Sequence, residues 1–310
     1  MSGKIIKHFR LFSQSFSRSL PALAMLFCMA SAAQAKIWKT NAEGLQNTIN
    51  KAQAGDIIQV TGGSTKRQII VKKRLTIEGK GPHTLGGMMT VRASDSVIRN
   101  LTFRNVGSGN RSASIRVSNV RKVRVENNDI AGSRGMGIFV ANSQDVRVTG
   151  NNIRDVRCMK GSSGYTTSQG VKVGQNSKRV IVTHNTVEGM QGCKLVAAFY
   201  CDTGGTEGVF EKNRVRKVGK ASEDAIGVYI ESRCHHWDVM DNIVYDVQTG
   251  VRNGSPGTSD PNNTLIEGNF ILAKEVGVKL VRGQHVIVTN NDIKAPTKIL
   301  DVRHRHQKRN

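Results

Sequence analysis

Two tyrosines and two acidic residues occupy matching positions in consecutive short segments of this sequence. The segment AFYCD contains Tyr200 and Asp202, and the segment GVYIE contains Tyr229 and Glu231. Carboxylates can hold a cation or transfer a proton, and phenols can transfer a proton. If the two segments lie side by side, they predict a cation-binding or acid–base site.

Basic residues fill the tyrosine position in four of the five related segments, and Phe139 fills it in the other. One outward position of these segments reads Arg116, Phe139, Lys172, Tyr200, Tyr229, Arg252 and Lys279. The next outward position reads Ser118, Ala141, Gly174, Asp202, Glu231, Gly254 and Val281. We expect catalysis from Asp202, Glu231, Tyr229, Arg252 and Tyr200. We expect substrate carboxylates to be bound by Lys172, Arg233, Lys279 and Arg116, with Arg233 projecting from the same strand as Tyr229 and Glu231.

A strand pattern, V-x-V-x-x-N-x-I, follows each of these segments. Its asparagines are spaced by 23, 34, 28, 29, 27 and 22 residues. They are Asn128, Asn151, Asn185, Asn213, Asn242, Asn269 and Asn291. Most of these spacings are too short for a strand–helix–strand unit and are typical of one turn of a solenoid. The pattern therefore predicts one coil per copy.

Apolar and polar residues alternate within each copy, so each coil has one apolar side. Val146, Val148 and Ile153 alternate with Arg147 and Asn152. One coil cannot bury its apolar side, but coils stacked in parallel register form a continuous core. Stacking also places each asparagine over the next, where side-chain amides can bond along a ladder. We therefore expect an all-β, single-stranded parallel β-helix.

The residue pattern resembles the right-handed parallel β-helix superfamily, the pectin-lyase-like fold with its short β-helix repeats. The resemblance covers roughly residues 40 to 300 and implies a right-handed solenoid. The superfamily includes polysaccharide lyases, glycosidases, uronate epimerases and non-catalytic periplasmic proteins, so the activity stays open. The motifs of its pectate lyases are absent. Asp260-Pro261-Asn262-Asn263 matches only the first two residues of the Asp-Pro-His-Asp motif of mannuronan epimerases.

The start of the chain predicts a leader followed by a cap. Residues 1–35 combine basic residues, the apolar run Leu20 to Ala33 and the small-residue sequence Ala33-Gln34-Ala35. This arrangement is typical of a secretory signal peptide cleaved before Lys36, and no later stretch is apolar enough for a membrane span. Thr40 to Ala54 has helical spacing. In the resembled superfamily such a helix covers the N-terminal end of the solenoid.

The predicted organisation is a signal peptide at 1–35, a β-helix domain at 36–302 and a basic tail at 303–310. Cys28 belongs to the leader. Cys158 and Cys193 follow their ladder asparagines by seven and eight residues, so we expect a disulfide between neighbouring coils. Cys201 and Cys234 differ by about four residues in coil position. They form either a second bridge or two buried thiols.

The outward position of the V-x-V strand changes character along the chain. Arg124 and Arg147 come first, and the later residues are apolar: Ile181, Val209, Leu265 and Ile287. These residues would form an exposed apolar stripe. We therefore expect a loop, the C-terminal segment or a partner to cover it.

The charge of the chain predicts a polyanionic partner. The formal net charge is +23, and the four basic residues of the leader reduce it to about +19 after cleavage. Only 5% of the residues are aromatic, and no nucleic-acid-binding module is recognisable, which argues against nucleic acid. We expect an acidic polysaccharide as partner and a secreted or periplasmic location.

Insertions between the repeats collect around the segments that carry the tyrosines. Three precede these segments, at Arg157 to Gln169, Glu188 to Val196 and Arg216 to Ala225, and Asn253 to Asn263 follows one. We expect them to form opposite walls of a groove.

Three functions fit these features. In a polyuronate lyase, which we favour, Asp202 and Glu231 would bind Ca²⁺ or polarise the site, and Tyr229 would transfer a proton. In a glycosidase, the same two carboxylates would act as general acid and as nucleophile or base, at the roughly 5 Å separation of retaining enzymes. In a non-catalytic protein, the same face would bind the polysaccharide without turnover.

Overall fold

Short strands and tight turns alternate along the chain. The structure, a computed structural model, describes residues 34–107, 112–160, 166–220 and 223–303. The predicted signal peptide, apart from residues 34 and 35, and the tail after Arg303 lie outside the described residues.

One helix and thirty strands form in the described ranges. The helix is α1 (Leu45–Lys51). The first ten strands are β1 (Ile37–Thr40), β2 (Ile57–Val60), β3 (Ser64–Thr65), β4 (Ile69–Val71), β5 (Thr76–Gly79), β6 (Thr84–Leu85), β7 (Met89–Val91), β8 (Val97–Arg99), β9 (Thr102–Arg104) and β10 (Ala113–Ser118). The next ten are β11 (Arg124–Glu126), β12 (Asp129–Ala131), β13 (Met136–Ala141), β14 (Arg147–Thr149), β15 (Asn152–Arg154), β16 (Met159–Lys160), β17 (Thr166–Gly174), β18 (Ile181–Thr183), β19 (Thr186–Glu188) and β20 (Leu195–Asp202). The last ten are β21 (Thr206–Glu211), β22 (Arg214–Arg216), β23 (Asp224–Ile230), β24 (His235–Met240), β25 (Ile243–Asn253), β26 (Thr264–Glu267), β27 (Phe270–Leu280), β28 (Val286–Thr289), β29 (Asp292–Lys294) and β30 (Thr297–Asp301).

The strands stack in parallel along the solenoid. One sheet has 11 strands in the order β1-β2-β5-β8-β11-β14-β18-β21-β24-β26-β28, and the other strands form a 19-stranded sheet. Each strand pairs with its equivalent in the next coil, as Val148 does with Val182 and Val182 with Phe210. Among the described strands, only β16 and β17 pair antiparallel. This is the predicted parallel β-helix.

The core lies inside the coils, where the apolar residues of successive strands align. Ile138 pairs with Val171, Val171 with Phe199, and Phe199 with Val228, and all four side chains are fully buried. Burying a side chain of this kind contributes roughly 1.5–3 kcal/mol. Parallel stacking makes that burial possible, because a single coil would leave the same residues exposed.

The predicted asparagine ladder runs through the core from Asn128 to Asn291. Asn151 Nδ2 donates to Asn185 Oδ1 at 2.9 Å and to Val125 O at 2.9 Å, and the Asn151 backbone N–H donates to the same Asn185 oxygen at 2.9 Å. The same link recurs between each pair of successive ladder residues. The ladder therefore satisfies amides that would otherwise be buried without partners.

The turn before each ladder asparagine begins with a residue of positive φ. Asn127, Asp241 and Asn290 take this position in three coils, with φ of 53°, 52° and 52°. Gly150 and Gly268 take it in two others, with φ of 67° in both. His184 and Lys212 take it in the remaining two, with φ of 58° and 50°, so the bend recurs in every coil, and asparagine, aspartate or glycine only lowers its cost.

Helix α1 covers the N-terminal end of the solenoid, as predicted. Its Leu45 and Ile49 are buried, and Asn41 Oδ1 accepts a hydrogen bond from Gly44 N–H at 2.9 Å before the first turn. The helix is shorter than the predicted Thr40 to Ala54, because Ala52 already has an extended conformation with ψ of 151°. In the described part of the chain, no helix is long and apolar enough to span a membrane.

Both cysteine pairs form disulfides. Cys158 and Cys193 are bridged with their Cα atoms 5.5 Å apart, which confirms the prediction. Cys201 and Cys234 are bridged with Cα atoms 6.2 Å apart, so the alternative of two thiols is wrong. The turn before Cys234 contains Ser232 and Arg233 at positive φ, and this bend offsets the difference in coil position.

The predicted apolar stripe on the 11-stranded sheet is interrupted. Val209 pairs with Asp238, and Asp238 pairs with Leu265. Ile181, Val209 and Leu265 are half-buried, whereas Ile287 is 58% exposed. The prediction of one continuous stripe is therefore wrong, because the strand that contains Asp238 also contributes to it.

Candidate functional site

The first strands of the coils bring the predicted site residues into one outward row, here called the tyrosine column: Arg116, Phe139, Lys172, Tyr200, Tyr229, Arg252 and Lys279. Lys172 pairs with Tyr200, Tyr200 with Tyr229, and Tyr229 with Arg252. Arg116, Phe139 and Lys279 continue the same register at its ends. The predicted register of this column is therefore observed.

An aromatic core lies directly beneath the centre of the column. Phe199, the inward neighbour of Tyr200, contacts Phe210 with ring centroids 5.8 Å apart, and Phe210 stacks on Trp237 at 4.6 Å. Trp237 Nε1 donates to Gly205 O at 2.9 Å. A Cβ on Gly208 would lie 2.4 Å from the Trp237 ring, so only glycine fits there. This packing fixes the strands that carry the tyrosines.

The two tyrosines stack on each other and share one carboxylate. Their ring centroids are 5.1 Å apart with an interplanar angle of 23°. Tyr229 Oη donates to Glu231 Oε1 at 2.9 Å, and Tyr200 Oη donates to Glu231 Oε2. Tyr200 is 6% exposed and Tyr229 is 2% exposed. Both phenols are therefore fixed in place by one acceptor, Glu231.

Burial keeps both phenols protonated. Burial raises the pKa of Tyr200 well above its ordinary value, and the negative charges of Asp202 and Glu231 raise it further. Burial also raises the pKa of Tyr229, with Arg252 opposing the shift and Glu231 adding to it. Both tyrosines are therefore hydrogen-bond donors at neutral pH, and Glu231 accepts a hydrogen bond from each of them.

A cation lies over the outer face of each tyrosine. Lys172 Nζ is 5.0 Å from the centre of the Tyr200 ring and 2.8 Å from Asp202 Oδ2. The Arg252 guanidinium is 5.0 Å from the centre of the Tyr229 ring, and its Nη1 is 2.6 Å from Asp224 Oδ2. The centre of the column is thus a stack of cation, phenol, phenol and cation.

Asp224 is a member of the site that the sequence analysis missed. It begins β23 and pairs in register with Leu195, away from the two outward rows that were considered. It lies in a segment that was treated only as an insertion between repeats. Its position five residues before Tyr229 gives no signal in the sequence, because strict strand alternation assigns the two residues to opposite faces.

Asp202 and Glu231 lie at matching positions of adjacent coils. Each directly follows one member of the pair Cys201 and Ile230. Their side chains have different partners, because Asp202 binds Lys172 and Glu231 accepts from the two phenols. Ca²⁺ takes six to eight oxygen ligands. In the described ranges, no group of three or more His, Cys, Asp or Glu residues could hold a metal ion. Calcium binding by Asp202 and Glu231 stays a prediction.

The remaining predicted binding residues lie at the edges of the column. Arg116 is 5.1 Å from the centre of the Phe139 ring, and Lys279 is half-buried beside Arg252. Arg233 does not project from the same strand as Tyr229, because β23 ends at Ile230 and Arg233 lies in the following turn with φ of 58°. It is exposed, and that part of the register prediction is wrong.

Segments between the repeats wall the column at both ends. At one end, Met159 of the β16–β17 hairpin packs on the cluster that contains Phe139 and Ala141. At the other end, the segment after Asn253 contributes the Gly254 carbonyl, which accepts a hydrogen bond from Arg252 Nε at 3.3 Å. Residues 161–165 and 221–222 of the predicted walls lie outside the described residues. These contacts place the described parts of both segments beside the column.

The stacked coils, the internal asparagine ladder and the walled row of cations and phenols define a parallel β-helix protein with one elaborated face. The chain matches the family model described as right handed beta helix region over residues 37–203 and 86–258. It belongs to that family, as the resemblance in its sequence predicted.

Solved structures with this fold include an alginate lyase and a DFA-IIIase. The alginate lyase from Paenibacillus sp. str. FPU-7 is 13% identical with a TM-score of 0.55, and the match covers 86% of this chain and 98% of that one. DFA-IIIase from Arthrobacter chlorophenolicus A6 is 13% identical with a TM-score of 0.58, and the match covers 87% and 85%. At this identity the likeness is one of fold. A comparison with curated protein sequences finds no match.

Proposed function

We propose that this protein binds an acidic polysaccharide along the tyrosine column and cleaves it by β-elimination, as a polyuronate lyase. The observation that carries the proposal is the pair of buried tyrosines whose hydroxyls both donate to Glu231, between Lys172 and Arg252. The alginate lyase that shares the fold supports the same class of substrate.

β-Elimination of a uronate requires neutralisation of its carboxylate and removal of the proton beside it. Arg252 supplies positive charge at the column, and Asp224 Oδ2 and the Gly254 carbonyl accept from two of its five N–H donors. The Asp224 side chain is 42% exposed, so a uronate carboxylate can displace it. Lys172 supplies a second cation 2.8 Å from Asp202. Lys172 and Arg252 are three coil steps apart, roughly 14 Å at about 4.8 Å per step, so they can bind carboxylates on sugars about three positions apart in a chain.

The two phenols and Glu231 provide a route for the proton. Tyr229 takes the proton from the carbon beside the carboxylate while it passes its own proton to Glu231. The electron pair of the broken C–H bond forms the new double bond, and the glycosidic C–O bond breaks. Glu231 then returns a proton through Tyr200 to the departing oxygen. The proton count of the site is unchanged after one cycle, as catalysis requires.

A hydrolytic mechanism fits the site less well. A retaining or inverting glycosidase needs one protonated carboxyl group as general acid. Each hydrogen bond that the structure shows at Asp202 and Glu231 is one in which the carboxylate accepts, from Lys172 or from a phenol. The groups that carry protons in this site are the phenols.

The experiment is an activity screen with matched variants. Polymannuronate, polyguluronate and polygalacturonate are incubated with the protein, with and without a chelator, and the ultraviolet absorbance of unsaturated product ends is followed. We expect activity on at least one polymer, persistence with chelator, and loss in Tyr229→Phe. Tyr245→Phe is the control, because Tyr245 contacts Arg214 on another row.

The location that we propose is secreted or periplasmic. Two disulfides join neighbouring coils, and disulfides of this kind persist in oxidising compartments. An acidic polysaccharide outside the cell is accessible to a protein in that location. Detection of the protein in the culture medium or in the periplasmic fraction would support the proposal, and its retention in the cytosol would contradict it.

A binding function without turnover is the second candidate. It is favoured by the burial of both phenols to 6% or less and by the pairing of both cations with acids of the protein itself. Tight binding of one polymer, with neither unsaturated ends nor new reducing ends, would replace the lyase by this function.

A further inference from the structure

A second polar site lies beside the tyrosine column, on the turn that joins the first and second strands of three neighbouring coils. It is a cleft of about 470 Å³. The residues that line it and carry the argument are Asn119, Asn142, Asn176, Arg121, Gln144 and Lys178. None of them belongs to the predicted catalytic or substrate-binding residues.

Three exposed amides form a row along the cleft. Asn119 N–H donates to Ala141 O and Asn142 N–H donates to Gln175 O, so Asn119, Asn142 and Asn176 follow one another at equivalent positions of successive coils. Their φ angles are 58°, 47° and 61°. The positive φ belongs to the bend of the turn, and the exposed amides are left to face solvent.

A second row, which includes two cations, runs parallel to the first. Arg121 forms a parallel backbone β-bridge with Gln144 of the next coil, and Gln144 forms one with Lys178 of the coil after that. Lys178 Nζ is 2.7 Å from Glu207 Oε1. Among the residues that the structure describes, no acidic side chain forms an ion pair with the Arg121 guanidinium, which is exposed. The cleft thus presents amides on one row and positive charge on the other.

The two rows match the chemistry of an anionic glycan strand. Side-chain amides donate to and accept from sugar hydroxyls, and cations bind uronate carboxylates. Successive coils are separated by roughly 4.8 Å, a repeat similar to the length of one pyranose in an extended chain. Between the cleft and the Lys172–Asp202 pair lie the small residues Ala141 and Gly174.

We propose that this cleft is an accessory subsite for a uronate-containing polysaccharide, which holds the part of a long chain that extends beyond the tyrosine column. The inference rests on the proposed function for the identity of the ligand. It adds that long chains bind more tightly than short ones and that this preference depends on Asn142 and Asn176.

The test removes the amides without straining the turn. In Asn142→Gly/Asn176→Gly, glycine keeps the positive φ and only the side-chain amide is lost. The matched control is Asn127→Gly, because Asn127 is exposed with φ of 53° at another turn. KM and kcat are measured on full-length polymannuronate, polyguluronate or polygalacturonate and on the trisaccharide of the same polymer. Calorimetric titration of the same long chains gives affinity independently of turnover.

The expected result is an increase of about tenfold in KM and in Kd for the long chain, since two hydrogen bonds are lost. The kinetics on the trisaccharide and the control variant should stay at wild-type values.

An unchanged KM and Kd for the long chain, or an equal loss in Asn127→Gly, would overturn the subsite while leaving the proposed lyase intact. Binding without cleavage, lost in the double variant, would overturn the lyase and retain the subsite. A wild-type protein that binds none of the three polymers would overturn both.

Discussion

Glu231 is the residue on which the site depends, because it accepts a hydrogen bond from each of two buried phenols. We expect Glu231→Gln to reduce kcat on the polyuronate substrate by at least about 100-fold, since an amide oxygen cannot take up the phenol proton. Initial rates of double-bond formation measure this loss. Glu211→Gln is the matched control, because Glu211 binds Lys212 on the 11-stranded sheet. A Glu231→Gln variant with full activity would remove the proton route.

Arg252 tests the contribution of the cations at the same scale. We expect Arg252→Ala to raise KM more than it lowers kcat, and most at low ionic strength, because salt screens the attraction to a polyanion. Arg214→Ala provides the control, since Arg214 is 5.6 Å from the Tyr245 ring and so makes a similar contact elsewhere. Equal effects of the two substitutions would indicate a general loss of surface charge and not a binding site.

At the residue scale, the sequence allowed the tyrosine column to be predicted because strand alternation assigns each side chain to one face. The same alternation identified Tyr200, Tyr229 and their flanking cations. It could not identify Asp224, because that residue binds Arg252 through a long-range contact between strands of adjacent coils. It also placed Arg233 on the strand, since the end of β23 depends on a turn whose left-handed residues are not glycine.

At the element scale, the asparagine ladder ties each coil to the next. Asn213 Nδ2 donates to Val182 O at 2.9 Å and to Asn242 Oδ1 at 3.1 Å. We expect Asn213→Leu to lower the free energy of unfolding by about 1–3 kcal/mol, because buried amide partners lose their hydrogen bonds. Urea denaturation measures the loss. Asn152→Leu is the control, since Asn152 is exposed on the adjacent strand, and equal stabilities would contradict the ladder.

Asp56 ties the first strand to the segment that follows α1. Its carboxylate accepts from Gln53 N–H at 2.9 Å, Trp38 Nε1 at 2.8 Å and Lys36 N–H at 3.0 Å. The backbone hydrogen bond from Gln53, followed by that from Trp38, lowers the pKa of Asp56. A lowered folded-state pKa stabilises the protein above the unfolded-state pKa, and this contribution is lost as pH falls through the folded-state value.

The expected outcome is that Asp56→Asn is less stable than the wild type at neutral pH and that the difference shrinks in acid. Thermal melts from neutral to acidic pH measure this difference in stability. Asp95→Asn is the control, because Asp95 is an exposed turn residue. A difference that is constant with pH would contradict the assignment.

The predicted cleavage before Lys36 would also place an ammonium group at Asp56, so the mature chain should be more stable than one with an added N-terminal residue.

The repeat made most of the elements predictable, because its apolar alternation and its asparagines recur at coil length. Helix α1 was predictable from the spacing of Leu45 and Ile49, although its end at Lys51 was not, since Ala52 turns to an extended conformation. The interruption of the apolar stripe by Asp238 was missed. Burial, followed by the charge of Glu267, raises the pKa of Asp238, which is consistent with a carboxyl group beside Val209 and Leu265.

At the scale of the whole molecule, the solenoid converts a one-dimensional repeat into a surface with a fixed direction. The same stacking that buries the core aligns the tyrosine column on one row and the amides of the accessory cleft on a neighbouring turn. A linear polymer can follow these rows from coil to coil. The formal charge of +23 favours a polymer that is acidic.

The central claim is that the phenols and Glu231 catalyse elimination, and the mass of the products tests it most directly. The protein is incubated with a polyuronate that it degrades, and the oligosaccharides are analysed by mass spectrometry. Elimination predicts chains whose new ends are lighter by one water than those of a hydrolysate, and no such chains with Tyr229→Phe or Glu231→Gln. Products with the full mass of hydrolysis, or unsaturated products that persist in both variants, would contradict the account.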